Sequence, residues 1–329
     1  MKRWLTNVGS GHSLALVALI LAIGAVAGVV NPRFLSVINV INIFQQIAVL
    51  GIVASGVGML LVAGEVDIST GNQVSLIGVV FAMLVQRLAG LPDDNPALPA
   101  LAPYAIPIAV AAAFVLGGLL GLLNGTVVVR TRAPSFIVTL GFSTIYTAAA
   151  LMVTSGASFM LYGRFQTLGR GKVLGFLPVS ILFFLGAMGL AFGLLKYTRY
   201  GRFLYAIGGN RKAAYVSGIA TRKYTLIAFV ALGLLDALAA IILISRVGSA
   251  LANTGDSLSL DALASVIVGG IALTGGTGSA ASIFLGVVLI GIIGNALIIM
   301  NVNPFMRGAV IGLVTIAAVT GGRFSSDRD

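Results

Sequence analysis

Charged residues are scarce in this sequence: Asp, Glu, Lys and Arg together account for only 9% of its 329 residues. Soluble globular domains carry about 25% charged residues. The scarcity of charge, the 58% of hydrophobic residues and the mean hydropathy of +1.08 exclude a soluble enzyme, a disordered chain and a fibrous protein. The composition therefore predicts a polytopic membrane protein.

Cysteine is absent, and histidine occurs once, at His12. The sequence can therefore form no disulfide, thiolate metal site or cysteine nucleophile. A single histidine cannot build a histidine-based metal cluster or a Ser-His-Asp triad, and we expect His12 to be solvated in an N-terminal tail. A Gly-x-x-x-x-Gly-Lys-Ser/Thr motif is also missing, so any ATP hydrolysis linked to this protein is expected on another chain, and this chain is not expected to be an enzyme.

Long apolar runs are abundant, and a membrane-spanning helix needs about 20 mostly apolar residues. We predict an all-α polytopic membrane protein with about ten transmembrane helices in a single domain, residues 1–329, with tails at 1–13 and 321–329. Glycines four residues apart, at 117, 121 and 125, predict close helix packing. The ten apolar runs are at 14–30, 41–63, 72–89, 103–129, 135–155, 178–195, 224–245, 261–274, 280–300 and 305–320.

The 20 basic residues outnumber the 9 acidic ones, which gives a net charge of +11. Basic residues accumulate in the cytoplasmic loops of membrane proteins, next to anionic lipid. No basic patch is interleaved with aromatic residues, so nucleic acid is not an expected partner. With the N-terminus inside, thirteen basic residues fall inside and seven outside, which predicts that both termini are cytoplasmic. The outside loop 156–177 carries three basic residues and is a candidate for a partly re-entrant segment.

Two glycine-rich segments interrupt the apolar runs. The first, at 64–72, contains two carboxylates. Irregular backbone at membrane depth requires partners from protein or water, so this segment is either a tight cytoplasmic turn with helix caps or the lining of a polar cavity. The second interruption is at 269–279. Broken helices in two halves of a transporter indicate internal repeats around a translocation path, although these two segments share little beyond glycine.

A third interruption, Lys196 to Lys223, contains seven basic residues and is placed inside by the predicted topology. We predict a turn at Gly208–Gly209, followed by an N-cap at Asn210. A short helix from Arg211 to Ser217 would then end at Gly218. A short capped helix between two spanning helices is typical of a docking element for a cytoplasmic partner; the alternative is a solvated loop.

Asp236 stands about twelve residues into the apolar run at 224–245. A charge at this depth costs several kcal/mol unless it is paired or hydrated, which makes Asp236 a candidate functional residue. The alternative is a protonated or hydrogen-bonded aspartate that holds two helices together.

Several motifs resemble the permease subunits of ribose-type monosaccharide ABC importers, and the resemblance extends from about residue 14 to 320. They are RYGRFLYAIGGNRKAAYVSGI at 199–219, LDALASVIVGG at 260–270, GEVDIS at 64–69, INIFQQ at 41–46 and ALTGGTGS at 272–279. Two positions depart from the family pattern. Glu65 adds a carboxylate beside Asp67, and Asp236 stands where the family has an apolar or small residue. These departures leave the identity of the solute open.

The resemblance implies about ten helices in a vitamin-B12-transporter-like arrangement in the bacterial inner membrane. It implies as partners ATP-binding subunits, which hold ATP and Mg, an extracytoplasmic solute-binding protein and a second permease, either an identical copy or a close paralogue. No cofactor is expected on this chain itself. The loop 196–223 would contact the ATPase. The predicted coupling residues are Gly208, Gly209, Asn210, Arg211, Lys212, Ala214, Ser217, Gly218 and Ile219.

The predicted function is the import of a monosaccharide or a similar polyhydroxy solute, because carboxylates and amides can hydrogen-bond to hydroxyl groups. Alternative solutes are a nucleoside, a polyol, an autoinducer furanose or a branched-chain amino acid. An ion-coupled secondary transporter that uses Glu65, Asp67 and Asp236 is an alternative of a different class. The residues predicted to line the translocation path are Asn42, Gln45, Gln46, Glu65, Asp67, Ser69, Asp236 and Asp261.

Overall fold

The computed structural model describes residues 4–90, 101–131, 133–303, 306 and 308–316, and the side chains from residue 11 onward. The predicted C-terminal tail at 321–329 lies outside these residues. The helices are α1 (Trp4–Val30), α2 (Val37–Val62), α3 (Thr70–Ala89), α4 (Ala105–Thr131), α5 (Ser135–Thr154), α6 (Thr167–Arg170), α7 (Val179–Tyr197), α8 (Arg199–Gly209), α9 (Arg211–Val216), α10 (Thr221–Val247), α11 (Leu258–Gly269) and α12 (Ala280–Ile299).

Eight of the helices in the described part of the chain are long and apolar enough to cross a membrane: α1 to α5, α7, α10 and α12. The predicted all-α polytopic membrane fold is thereby confirmed. The run predicted at 261–274 corresponds to α11, which has only 12 residues. The last predicted run is helical at 308–316 and extends beyond the described residues. The count of ten spanning helices and the orientation remain predictions.

Helix α10 lies at the centre of the bundle, packed against α2, α3 and α4. Its closest neighbour is α4, where a Cβ atom at Gly117 would collide with the carbonyl oxygen of Gly233, and one at Gly121 with that of Phe229. These glycines allow the two backbones to touch, which is how helices associate in lipid. The close packing predicted from the glycine spacing is therefore confirmed.

The connection 63–69 runs from the end of the bundle into its interior and is not a tight turn at the surface. Gly56 of α2 packs on Leu232 of α10. Six residues later α2 ends at Val62, level with the first turns of α10. Gly78 of α3 packs on Ile244. Because helices rise by the same distance per residue, counting back eight residues along both helices places Thr70 level with residue 236, near the middle of α10. Helix α3 therefore begins level with the middle of α10, a position that we call mid-depth.

Helix α11 also begins at mid-depth, next to the start of α3. The Ser259 hydroxyl accepts a hydrogen bond from Gly71 N at 2.7 Å, and Gly255 N donates to Ser75 Oγ at 2.8 Å. With 12 residues, α11 is roughly 18 Å long, too short to cross a bilayer alone. The predicted runs end at 245 and resume at 261, so the irregular segment before α11, at 251–257, lies within a predicted connection.

The loop 156–177 covers the end of α10 farthest from α9. It contains β1 (Phe159–Met160), α6 and β2 (Lys172–Val173), and β2 pairs with β3 (Leu177–Pro178), whereas β1 pairs with β4 (Ser249–Ala250). Ser245 of α10 donates to Phe165 O at 2.6 Å and accepts from Gly169 N at 3.0 Å. The partly re-entrant position of this loop in a bilayer stays a prediction.

His12 is exposed, as expected, but the prediction that it lies in a tail at 1–13 was wrong. Helix α1 begins at Trp4 and therefore includes His12. The His12 Nε2 atom lies 3.1 Å from the carbonyl oxygen of Val268, in the last turn of α11. Carbonyl groups in the last turn of a helix have no partner within the helix, so an imidazole N–H satisfies one of them here.

Candidate functional site

The short helix predicted after Asn210 is present as α9. Asn210 Oδ1 accepts a hydrogen bond from Ala213 N at 2.9 Å, which caps the helix as its sequence indicates. Gly218 follows with a φ of +85°, a left-handed conformation that ends a helix at little cost in glycine. Ala214 is buried, whereas Arg211, Lys212 and Ser217 are exposed. The helix therefore presents a mixed surface, since Tyr215 and Val216 are also 71% and 84% exposed, while its coupling role stays a prediction.

The predicted turn at Gly208–Gly209 was wrong, because both residues belong to α8. A Cβ atom at Gly208 would collide with the carbonyl oxygen of Val62 and the amide nitrogen of Gly276. Glycine is thus required at 208 for close backbone contact and not for a turn. A Cβ atom at Gly209 would have no neighbour within 4 Å.

Three distant segments meet at one point, which we call the glycine junction: Gly64, Gly208, Gly275 and Gly276. Gly276 N donates to the carbonyl oxygen of Val62 at 2.9 Å. A Cβ atom at Gly275 would lie 2.6 Å from Gly64 N and 3.0 Å from Gly208 Cα. The junction joins both glycine-rich interruptions of the sequence to the last turn of α8, immediately before α9.

Glu65 forms an ion pair with Arg211, the first residue of α9. The carboxylate side chain is 7% exposed and the Arg211 side chain is 44% exposed. The Arg211 guanidinium also lies 3.4 Å from the hydroxyl of Thr225, in the second turn of α10. Glu65, which the sequence assigned to the translocation path, is thus attached to a residue that the sequence assigned to coupling.

Asp67 is fully buried at the centre of a hydrogen-bonded cluster. Its Oδ1 atom accepts from the backbone N and the hydroxyl of Ser69, at 2.7 and 2.6 Å. Its Oδ2 atom accepts from Asn124 Nδ2 at 3.0 Å and from Gln73 Nε2 at 3.4 Å. The Tyr146 hydroxyl donates to Asn124 Oδ1 at 2.5 Å. The carboxylate therefore links the start of α3 to α4 and, through Asn124, to α5.

The irregular backbone beside Asp67 obtains its hydrogen bonds from α5. Val66 N donates to the Ser135 hydroxyl at 3.0 Å, and Ile68 N donates to the Thr139 hydroxyl at 3.2 Å. Non-helical backbone survives at membrane depth only when protein or water satisfies it, and here two side chains do so. The Ser69 hydroxyl, at the N-cap position of α3, makes no capping hydrogen bond to that helix.

The eight predicted path residues do not converge on one place. Asn42, Gln45 and Gln46 lie in the first half of α2, and Val62 follows Gln46 by sixteen positions, roughly 24 Å of helix. Asp261 is buried in the first turn of α11, where it lines a cavity of about 580 Å³ with Ser257 and Asn301. Glu65, Asp67 and Ser69 share the 63–69 connection. Their assignment to a path stays a prediction.

Asp236 is fully buried in α10, between Leu235, which packs near Gly56 of α2, and Ala237, which packs near Gly117 of α4. Within the part of the chain that the structure describes, neither carboxylate oxygen has a hydrogen-bond partner. The hydrogen-bonded helix tether that the sequence left open is therefore not found among these residues.

Asp236→Ala is expected to raise the Tm of the permease. Burial of a polar group without a partner costs about 1–3 kcal/mol, and alanine does not incur this cost. Thermal unfolding of the purified permease in detergent measures the change. A lower Tm would show that Asp236 has a stabilising partner in the assembled protein. Uptake by the same variant separately tests its predicted role in the path.

Sequence reasoning missed the polar residues that organise the site. Asn124, Gln73 and Tyr146 complete the Asp67 cluster, and Asn39 of α2 forms reciprocal hydrogen bonds with Asn295 of α12, at 2.8 and 3.0 Å. A signal was available for Asn124 and Asn295, because each is a lone amide within a long apolar run, and polar groups within a membrane are usually paired.

Comparison with known proteins places the chain in a family. A family model described as "Branched-chain amino acid transport system / permease component" matches residues 39–319. The ribose import permease protein RbsC of Haemophilus influenzae is 33% identical, over 97% of this chain and 96% of the relative. RbsC of Bacillus subtilis is 33% identical, over 89% of this chain and 87% of the relative.

A relative with a different sugar in its name matches equally well. The galactose/methyl galactoside import permease protein MglC of Escherichia coli is 32% identical, over 97% of this chain and 95% of the relative. No solved structure matches the chain. The family model covers most of the sequence, and these relatives align with 89–97% of it, a range that includes α9 and the Asp67 cluster. The chain therefore belongs to the family of permease components represented by the branched-chain amino acid transport system.

Proposed function

We propose that this chain is the permease subunit of an ABC importer for a monosaccharide or a similar polyhydroxy solute. The end-to-end similarity to ribose and galactose import permeases carries the proposal. The capped helix α9 supports it, since it offers an exposed surface, basic at Arg211 and Lys212 and apolar at Tyr215 and Val216, at the end of the bundle where α2 and α8 meet. A protein of this kind moves solute and is not itself an enzyme.

The proposed assembly contains partners for each step of import. ATP-binding subunits, which hold ATP and Mg, would contact α9, and an extracytoplasmic binding protein would deliver the solute. A second permease, identical or closely related, would complete the pathway. In this arrangement the chain spans the inner membrane of a bacterium, with both termini and the loop 196–223 in the cytoplasm. The bilayer contacts its apolar surface, and nucleic acid plays no part.

The proposed movement is an alternating tilt of the helices around the path. Closure of the ATP-binding subunits would displace α9, and the contacts of Gly208 would carry that displacement to α2 and to the segment before α12. Polar groups along the path would exchange hydrogen bonds with solute hydroxyls. The binding protein would supply most of the affinity.

The alternatives predict different substrates or a different energy source. The family description names branched-chain amino acids, whereas the relatives that align over nearly the whole chain are named for ribose and galactose. A nucleoside, polyol or furanose permease would use the same architecture. A secondary transporter would be driven by an ion gradient and would need no ATPase.

Uptake by proteoliposomes tests the proposal. The permease is reconstituted with its ATP-binding subunits and binding protein, and labelled ribose, galactose and leucine are offered with and without ATP inside the vesicles. We expect ATP-dependent accumulation of a sugar. Accumulation driven by a sodium or proton gradient without the ATPase would contradict the proposal, and ATP-dependent accumulation of leucine alone would contradict its sugar specificity.

A further inference from the structure

We propose that Glu65 is a positioning residue that ties helix α9 to the 63–69 connection, so that displacement of α9 is transmitted into the buried core. This inference rests on the proposed function, because it concerns how an ATP-driven movement would reach the transmembrane helices. Glu65 would act through the segment that follows it and would touch neither ATP nor solute.

The ion pair between Glu65 and Arg211 differs from an ion pair between two exposed side chains. The carboxylate is almost completely buried, and only the Arg211 side of the pair is partly exposed. Exposed ion pairs hold side chains weakly, whereas a buried carboxylate that loses its partner becomes an uncompensated charge. Glu65 is therefore strongly constrained to follow Arg211 when α9 moves.

The three residues after Glu65 are each fixed to another helix. Val66 N is bonded to Ser135 of α5, the Asp67 carboxylate to Asn124 of α4, and Ile68 N to Thr139 of α5. Bond lengths and peptide planes are fixed, so only rotation about φ and ψ could absorb a shift of Glu65, and these three hydrogen bonds restrict that rotation. A shift of Glu65 therefore acts directly on the hydrogen bonds that position α4 and α5.

The residue before Glu65 is held as well. Gly64 lies in the glycine junction, in contact with Gly275 and Gly208. The connection is thus bounded by close-packed backbone on one side and by the Asp67 cluster on the other. This continuous chain of contacts, from α9 through Glu65 to α4 and α5, is the physical route that the proposal requires.

A double-mutant cycle tests the proposal in the assembled transporter. Glu65→Gln, Arg211→Gln and the double variant are reconstituted with the ATP-binding subunits and binding protein, and the amount of sugar imported per ATP hydrolysed is measured. We expect about a tenfold loss in each single variant and no additional loss in the double variant, because both changes remove the same interaction. Glu65→Asp, which keeps the charge, is expected to recover part of the lost coupling.

Arg222→Gln is the matched control. Arg222 is another exposed basic residue, three positions before Thr225, and it is not paired with Glu65. In the double variant Glu65→Gln/Arg222→Gln, the fold losses of import per ATP caused by the two single changes are expected to multiply. If the effects of Glu65→Gln and Arg211→Gln multiply in the same way, the pair does not act as a unit and the inference is wrong.

Thermal unfolding of the wild type, Glu65→Gln, Arg211→Gln and the double variant separates transmission of movement from simple stabilisation. Non-additive Tm values together with unchanged import per ATP would show that the ion pair is only structural, which also overturns the inference. The wild-type protein distinguishes failure of this inference from failure of the proposed function. If the wild type imports sugar with ATP and the effects of Glu65→Gln and Arg211→Gln on import multiply, only the inference is contradicted. Gradient-driven import without the ATPase contradicts the inference and the proposed function.

Discussion

Gly208→Ala is expected to destabilise the permease by about 3 kcal/mol, at the upper end of the cost of adding one methyl group to a packed site. The added Cβ atom would occupy the same space as the Val62 carbonyl oxygen and the Gly276 amide nitrogen. Both are backbone atoms, which cannot rotate away as the end of a side chain can. The substitution therefore forces α8 away from α2 and breaks the glycine junction.

The neighbouring residue provides a matched control. A Cβ atom at Gly209 would have open space around it, and alanine is about 1 kcal/mol more favourable than glycine within a helix. Thermal unfolding in detergent is therefore expected to show a lower Tm for Gly208→Ala and an equal or higher Tm for Gly209→Ala. Equal Tm values for the two variants would contradict the close backbone contact at Gly208.

Asp67→Ala is expected to lower the free energy of unfolding by about 2–6 kcal/mol, because it leaves two buried donor groups without an acceptor and each such group costs about 1–3 kcal/mol. These groups are Ser69 N and the Ser69 hydroxyl. Gln73 Nε2 and Asn124 Nδ2 also lose one acceptor each but keep a hydrogen bond to Ser69 Oγ, at 3.0 and 2.8 Å. The start of α3 would thus lose one of its two links to Asn124 of α4. We expect little folded protein to survive extraction in detergent.

Two comparisons make the Asp67 result specific. Asp67→Asn keeps one acceptor oxygen of the same size and is expected to lose less stability than Asp67→Ala. Asp256→Ala removes an exposed carboxylate and is expected to leave the Tm unchanged. Size-exclusion profiles and unfolding curves of the three variants measure the difference. A stable Asp67→Ala variant would show that the hydrogen-bonded cluster does not hold α3 in place.

Local signals in the sequence predicted local structure well. Asn210 and Gly218 defined α9 correctly because the cap and the left-handed terminus involve residues only a few positions apart. The glycines at 208 and 209 were misread as a turn. Two glycines are equally compatible with a turn and with backbone contact, and only the position of Gly276, far along the chain, distinguishes the two.

The depth at which a helix begins was the least predictable property. An apolar run looks the same whether its helix begins at the end or in the middle of the bundle. The start of α3 was located by the contact of Gly78 with Ile244, and that of α11 by its hydrogen bonds to the start of α3. The partner of Glu65 could not be identified either. Arg211 is one of seven basic residues between 196 and 223, and the sequence does not say which of them approaches the carboxylate.

The mid-depth start of α3 also constrains how the newly made chain assembles. The protein is synthesised from its N-terminus, so the connection 63–69 leaves the ribosome before Ser135 and Thr139. In the folded protein, the hydroxyls of these two residues accept hydrogen bonds from backbone N–H groups of the connection. Until then, those groups require water, because lipid offers them no partner. We therefore expect α3 to reach its final position only once α5 is present, since α5 carries the two hydroxyl groups that the connection needs.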